Sequence, residues 1–379
     1  MNIVFASHTY MGSTFVVGSH HLAKAMAKKG HNVAHISAPI SPIHLFKWRD
    51  LDTKQRLDIW RKNGVRRDGV MDYVPMGLLP WQAITRLGLP YESYSKTFPS
   101  ISSCLEKYLG MSHVDLLLMD EPRFVGLEKQ LKPKKFVYRA TDLYAEMRGD
   151  KTIREAEMQI ASCANLMIGT SSPVVEYLHS LNPDLPVHLI ENGVDLDIFG
   201  TKQQEPDDIA KISHPRAIYV GALDERFDFS VVDLLAKSMP ELSLILIGPV
   251  SDDVKEKYLS LSNVHFLGSR PFEQIPGYLR FSDVALLPLS KHPANNGRSP
   301  MKIYEYGSCG LPVLASATQE LKRRCLPFVF VANESNEFPV LMSELLGRDL
   351  RLIADCAVSY SAKNSWKQIS DDLLEIVCS

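Results

Sequence analysis

The chain has 379 residues, 45% of them hydrophobic and 23% charged. That length and balance suit two globular domains and exclude a disordered, collagen-like or disulfide-rich scaffold. Lys and Arg number 42 against 44 Asp and Glu, a formal charge of −2, which excludes a bulk nucleic-acid binder. The charge is unevenly spread: residues 1–195 carry 23 basic against 20 acidic side chains, leaving 19 against 24 for the remainder.

The six cysteines form no CxxC pair and no Cys/His cluster at zinc spacing, so reduced thiols in a cytoplasmic protein are expected. No basic segment or cleavage-like site follows Met1, and no run of 18 apolar residues occurs. A signal peptide and a membrane span are therefore not expected, and any membrane contact is peripheral.

In chain order, Ile3–Ala6 reads as a strand, His8–Gly18 as a glycine-containing loop, and 19–29 as a helix. Ser19 is placed to cap that helix and Gly30 to end it, before a strand at Asn32–Ile36. Strand, crossover helix and strand imply a parallel sheet. Further apolar runs at Val114–Met119, Lys135–Arg139, Asn165–Ile168 and Val187–Ile190 fit strands covered on both faces. The polar stretch 196–215 reads as a linker closing a first domain of residues 1–195. The pattern then restarts with runs at Ala217–Val220, Leu242–Ile247, Val264–Leu267, Val284–Leu289, Leu311–Ala315 and Phe328–Val331. They make a second α/β domain of residues 216–360, followed by a C-terminal segment 361–379 expected to pack back on the first domain as a helix.

In such sheets ligands lie beyond the carboxyl ends of the strands. After the first strand the loop His8–Thr14 offers Gly12, Ser13 and Thr14, as a binding loop or as a plain turn; GxGxxG spacing is absent, which argues against a nicotinamide-dependent oxidoreductase. Later runs are followed by Asp120-Glu121 and by Asp142 with Tyr144. A carboxylate there takes a proton from a hydroxyl, or caps a helix. In the second half Gly221, Arg226 and Arg270 follow strands. The stretch from Ser290 to Val313 brings Asn296, Arg298, Ser299, Met301, Lys302 and Glu305 into a loop entering a helix. Backbone donors and cations there suit a diphosphate, and Glu305 suits the hydroxyls of a ribose. The plainer reading of Lys302 and Glu305 is a surface ion pair. Asp50-Leu-Asp52 and Asp195-Leu-Asp197 have a metal-site spacing but follow no strand that would aim both carboxylates at one ion, and adjacent His20 and His21 point about 100° apart on a helix.

Asn192-Gly-Val-Asp195, the run Gly268–Pro288, the segment Pro300–Val313 and the late Trp366 together resemble the GT-B glycosyltransferases. Phe136–Asp142, followed by Arg154-Glu-Ala-Glu157, is similar to the membrane-associated glucuronosyltransferases of xanthan biosynthesis and to teichuronic-acid transferases. The resemblance implies two Rossmann-like domains with a cleft between them. It implies inverting transfer from a nucleotide-diphosphate sugar, UDP-linked, to a glycan or polyprenyl-linked acceptor, with no cofactor and no obligatory metal. It places the catalytic base at Asp142 and donor contacts at Met301 and Lys302. Glu305 stands where that family has Gln, Leu289 where it has Tyr, and Glu121 matches a family Glu. Retaining GT-B enzymes carry a second Glu at the position of Gly297, and its absence here sets the inverting mechanism ahead of the alternatives, a retaining transferase and a GT-B-fold nucleotide-sugar epimerase. Residues 41–90 hold nine basic against five acidic side chains and Trp48, Trp60 and Trp81, which suits an anionic surface on the cytoplasmic face of the inner membrane.

Overall fold

The computed structural model describes residues 1–13, 16–47 and 50–378. The chain divides into two α/β units, Met1–Glu191 with Ile369–Ser379, and Asn192–Gln368. In the first unit the strands are β1 (Asn2–Ser7), β2 (Asn32–Ser37), β3 (Val65–Arg67), β4 (Val70–Tyr73), β5 (Leu116–Met119), β6 (Lys135–Ala140), β7 (Leu166–Gly169) and β8 (Val187–Leu189). They lie in the order β3-β4-β2-β1-β5-β6-β7-β8, parallel except for the β3–β4 pair. Val4, Leu117 and Val137 are wholly buried because helices cover both sheet faces.

The β3–β4 hairpin is absent from the pattern of long apolar runs. Its signal is shorter: Asp68 and Gly69 both have positive φ, at 50° and 83°, the two-residue turn that Asp-Gly supports between twisted strands. A second difference concerns Ser19. The first helix, Gly18–Lys28, starts at Val17 without a side-chain cap; Ser19 is buried and its hydroxyl donates to Ser7 Oγ at 3.0 Å. A side chain turned into the core cannot reach the helix-end amides.

The second unit holds β9 (Arg216–Val220), β10 (Ser243–Ile247), β11 (Val264–Gly268), β12 (Val284–Leu287), β13 (Val313–Ser316) and β14 (Val329–Ala332). Their order is β11-β10-β9-β12-β13-β14, and all pairs are parallel. In each sheet the strand order reverses beside the unit's first strand, between β1 and β5 and between β9 and β12. Crossovers run to opposite faces there, leaving the crevice where ligands of open α/β sheets bind.

The stretch 196–215 is folded, not a free linker. Phe199 and Ile209 are fully buried in the second unit's core and Ile212 nearly so, while Arg280 Nη2 donates to Phe199 O at 2.6 Å. Three well-spaced apolar residues suffice to anchor an otherwise polar segment. The last helix, Trp366–Cys378, is divided: Trp366 N donates to Val194 O at 3.1 Å within the second unit, and Ser370 accepts from Lys29 Nζ at 2.7 Å within the first.

The two described tryptophans of residues 41–90 pack on their own unit. Trp81 is buried and stacks on Tyr91 at 5.2 Å, Trp60 packs on a small core with Tyr10 and Ile40, and Trp48 lies outside the described residues, as does Arg49. The exposed apolar side chains in and beside this stretch include Leu51, Leu78 and Phe98, at 68%, 70% and 77%. Among the described residues no helix is long and apolar enough to cross a membrane.

Candidate active site

The crevice of the second unit is shaped by glycines. Gly221 follows β9 and Gly248 follows β10, with φ of 156° and 148°. A Cβ on Gly248 would lie 1.8 Å from Gly221 O, and one on Gly221 would lie 2.9 Å from Lys302 Cε. Side chains are thus excluded where the backbone must come close to Lys302. Two loops border the site. Ser290 N donates to Arg226 O at 3.0 Å, and Asn295 Nδ2 donates to Arg226 O at 3.0 Å and to Ser290 O at 2.9 Å. Asn295 also accepts from Arg298 Nη1 at 3.2 Å. The expected residue Asn296 is exposed beside it; the short turn 293–295 aims its neighbour inward, a choice that spacing alone does not reveal.

Arg226, Arg298 and Lys302 share this crevice. Arg226 Nε donates to Asp224 Oδ1 at 3.0 Å, a hydrogen bond that raises the guanidinium's pKa. Burial pushes Asp224 up, and the bonds from Arg226 outweigh it and leave the carboxyl below its ordinary range. Burial also lowers the Lys302 pKa, with Arg298 and Arg226 adding to the fall and Glu305 opposing it. The three cations stand among Asp224 and Glu305, and the exposed Glu225 also acts on Arg226. Lys302 and Glu305 both lie in the helix Lys302–Ser308, which Met301 precedes.

Ser299 is buried and works on the loop itself. It accepts from Arg324 Nη2 at 2.7 Å, and Asn192 Nδ2 donates to Ser299 O at 2.9 Å. Arg324 in turn donates through Nε to the buried Glu320 at 2.7 Å. This brace was not legible from sequence, because Asn192, Ser299 and Arg324 meet only through the fold. Arg270 is already paired: it donates to Asp208 Oδ2 and Tyr278 Oη, both at 2.8 Å, and those bonds raise its pKa.

The first unit's crevice carries a denser set of ionised groups. Asp120 accepts from the fully buried Arg139 Nη1 at 2.7 Å. Glu121, also fully buried, accepts from Arg123 Nε and Nη2, each at 2.9 Å. It accepts as well from Arg148 Nη2 at 2.9 Å and Nη1 at 3.3 Å. Burial raises the Glu121 pKa, but the two guanidinium groups overcome it and hold the carboxyl well below its ordinary range. With both oxygens taken, Glu121 is not placed to receive a proton. Tyr144 is buried too: its hydroxyl lies 2.6 Å from Thr141 Oγ1, Arg148 stacks over its ring at 5.5 Å, and burial drives its pKa up. Asp142, one residue beyond Thr141 at the end of β6, is half-buried. It sits close enough to Tyr144 to contribute to that rise.

His8 closes this crevice from β1. Its Nδ1 is buried without a hydrogen-bond partner, and burial lowers its pKa while Glu121 opposes the fall. Gly12 adopts φ of 88°, and a Cβ there would lie 2.9 Å from Arg67 Nη1. Ser13 N donates to Tyr10 O at 3.2 Å, and Thr14 lies outside the described residues. The two metal-like pairs are helix caps: Asp50 accepts from Thr53 N at 2.8 Å, and Asp195 from Asp197 N at 3.1 Å.

Residues 4–168 match the family model "Glucuronosyltransferase GumK, N-terminal domain", and residues 190–346 match "Glycosyl transferases group 1". Each half of the chain is thus similar to a glycosyltransferase family. A relative provisionally designated the teichuronic acid biosynthesis glycosyltransferase TuaH of Bacillus subtilis (strain 168) is 25% identical over 223 residues. The match covers 55% of each chain, so this chain spans about half the length of that curated relative. Among solved structures, the sucrose-phosphate synthase of Thermosynechococcus elongatus superposes with a TM-score of 0.71 at 16% identity, over 98% of each chain. HepE of Anabaena, solved with UDP and glucose, has a TM-score of 0.68 at 18% identity, over 100% of this chain and 99% of its own. The glycosyltransferase domains therefore carry the GT-B fold.

Proposed function

We propose that this chain transfers a sugar from a UDP-linked donor to a hydroxyl of a glycan or lipid-linked glycan in bacterial polysaccharide synthesis, with inversion at the anomeric carbon. The second unit binds the donor. Lys302, Arg298 and Arg226 face the diphosphate, and Glu305 the ribose. Their positive charge stabilises the departing nucleoside diphosphate, so no metal is required. HepE, a structural neighbour solved with UDP-glucose, supports the choice of nucleotide. Asp142 removes the acceptor proton as the oxygen attacks the anomeric carbon and the bond to the diphosphate breaks. The observation carrying this assignment is the contrast at one sheet edge: Glu121 is fully buried and held by two arginines, whereas Asp142 is half-buried beside it in the fold.

The test is Asp142→Asn, which keeps shape and removes the base. Turnover of donor into glycoside is expected to fall by roughly 10³-fold, while calorimetric affinity for UDP stays within about 3-fold. Substantial residual turnover would overturn the assignment.

The acceptor reading extends to a peripheral membrane contact. The exposed Leu78 and Phe98 each follow one residue of the antiparallel Gly77–Thr97 bridge, which sets Lys96 opposite Leu78. Apolar tips beside a cation suit an anionic bilayer surface. Leu78→Ser with Phe98→Ser is expected to release the protein from anionic vesicles in a sedimentation assay. A wild-type protein that stays in the supernatant would sink this part of the proposal.

A further inference from the structure

The first unit's crevice holds two guanidinium groups with N–H donors to spare. Arg123 and Arg148 each spend two of their five N–H groups on Glu121. Those four bonds saturate the carboxylate, so Glu121 has nothing left to offer a ligand. Beyond Glu121, the contacts of the two guanidinium groups are the ring faces of Tyr94 and Tyr144. Their side chains are 20% and 25% exposed, so the remaining N–H groups face outward instead of being sealed in the core. The neighbouring Asp120 gives Oδ2 to Arg139, and its Oδ1 is buried without a hydrogen-bond partner. Beside them His8 holds a buried Nδ1 that has no partner.

A sugar hydroxyl both donates and accepts and gains little from such a surface. A carboxylate or phosphate only accepts, and two adjacent guanidinium forks match its geometry. Arg148 also lies on the Tyr144 ring, and Tyr144 neighbours Asp142, so an anion held there is near the carboxylate assigned to deprotonate the acceptor. We infer that the crevice between β1 and β5 is an anion subsite formed by Arg123, Arg148 and His8, and that the acceptor carries a carboxylate or phosphate close to the hydroxyl that is glycosylated. The inference rests on the acceptor role proposed for this unit.

The test uses calorimetric titration of the full chain with three probes: glucuronic acid, glucose 1-phosphate and the neutral methyl glucoside. At least one anionic probe is expected to bind 10-fold or more tightly than the neutral one, and which one identifies the source of the charge. Arg148→Gln is expected to abolish that preference. Arg148→Lys, which keeps a cation on Glu121 and so protects the fold, is expected to retain only part of it. UDP titrated into each variant reports the donor unit separately and is expected to be unchanged. Equal binding of charged and neutral probes by the wild type, or an undiminished preference in both variants with UDP binding intact, would overturn the inference. Failure of the transfer proposal would instead show as lost donor turnover with the anion preference intact.

Discussion

The two switch-point crevices are made of the same fold and are furnished in opposite ways. In the second unit bare glycines stand at the ends of β9 and β10, and cations approach the space they leave. In the first unit the strand ends carry side chains, most of them locked: Asp120 to Arg139, Glu121 to Arg123 and Arg148, Tyr144 to Thr141. A site that holds a diphosphate works through accessible backbone and clustered cations. A site that takes a proton needs a carboxylate that is not sealed in the core, and the half-buried Asp142 is the one proposed for it. The comparison separates residues that look equivalent in a list of polar side chains.

After the roughly 10³-fold loss expected of Asp142→Asn, the largest effect that would break it lies at Lys302. Lys302→Met removes a charge-assisted contact to the donor, and kcat/KM is expected to fall about 10²-fold, near 3 kcal/mol; unchanged kinetics would remove Lys302 from the donor site. Next is Glu121→Gln, which leaves two arginines facing an uncharged group and is expected to cost about 3 kcal/mol of stability at pH 7. The carboxyl's folded pKa lies below its ordinary value of 4.5. Its stabilisation is therefore complete above that value and is lost as the pH falls through the lower, folded value. Urea denaturation from pH 7 downward should show the wild-type advantage persisting below pH 4.5 before it closes; an advantage that peaks in acid would contradict the arginine cage. The smallest effect is at Arg270. Paired with Asp208 and Tyr278 near the surface, it is expected to lose under about 1 kcal/mol as Arg270→Gln, with calorimetric donor affinity unchanged. A clear loss of affinity would place it in the crevice after all.

The sequence carries much of this site because strand ends announce themselves. Asp142, Lys302, Arg298 and Gly221 each follow an apolar run or its loop, and chain order places each beyond the carboxyl end of a strand in its own sheet. What it hides is contact between distant segments. Nothing near Ser299 signals Arg324, and nothing near Glu121 signals Arg148, 27 positions on. The polar residues 196–215 conceal Phe199 and Ile209, which the core captures, and the β3–β4 hairpin announces itself only through Asp68-Gly69.

By itself the sequence determined two α/β units, their parallel strands and the loops able to meet a nucleotide sugar, because hydrophobic period and turn chemistry are local properties. Only the tertiary structure decided which charges are spent. Glu121 and Asp142 are both carboxylates that follow a strand, yet one is buried under two guanidinium groups and the other is half-open. That distinction comes from burial and long-range pairing, which set the free energy of ionisation and leave no mark on the residues next in the chain.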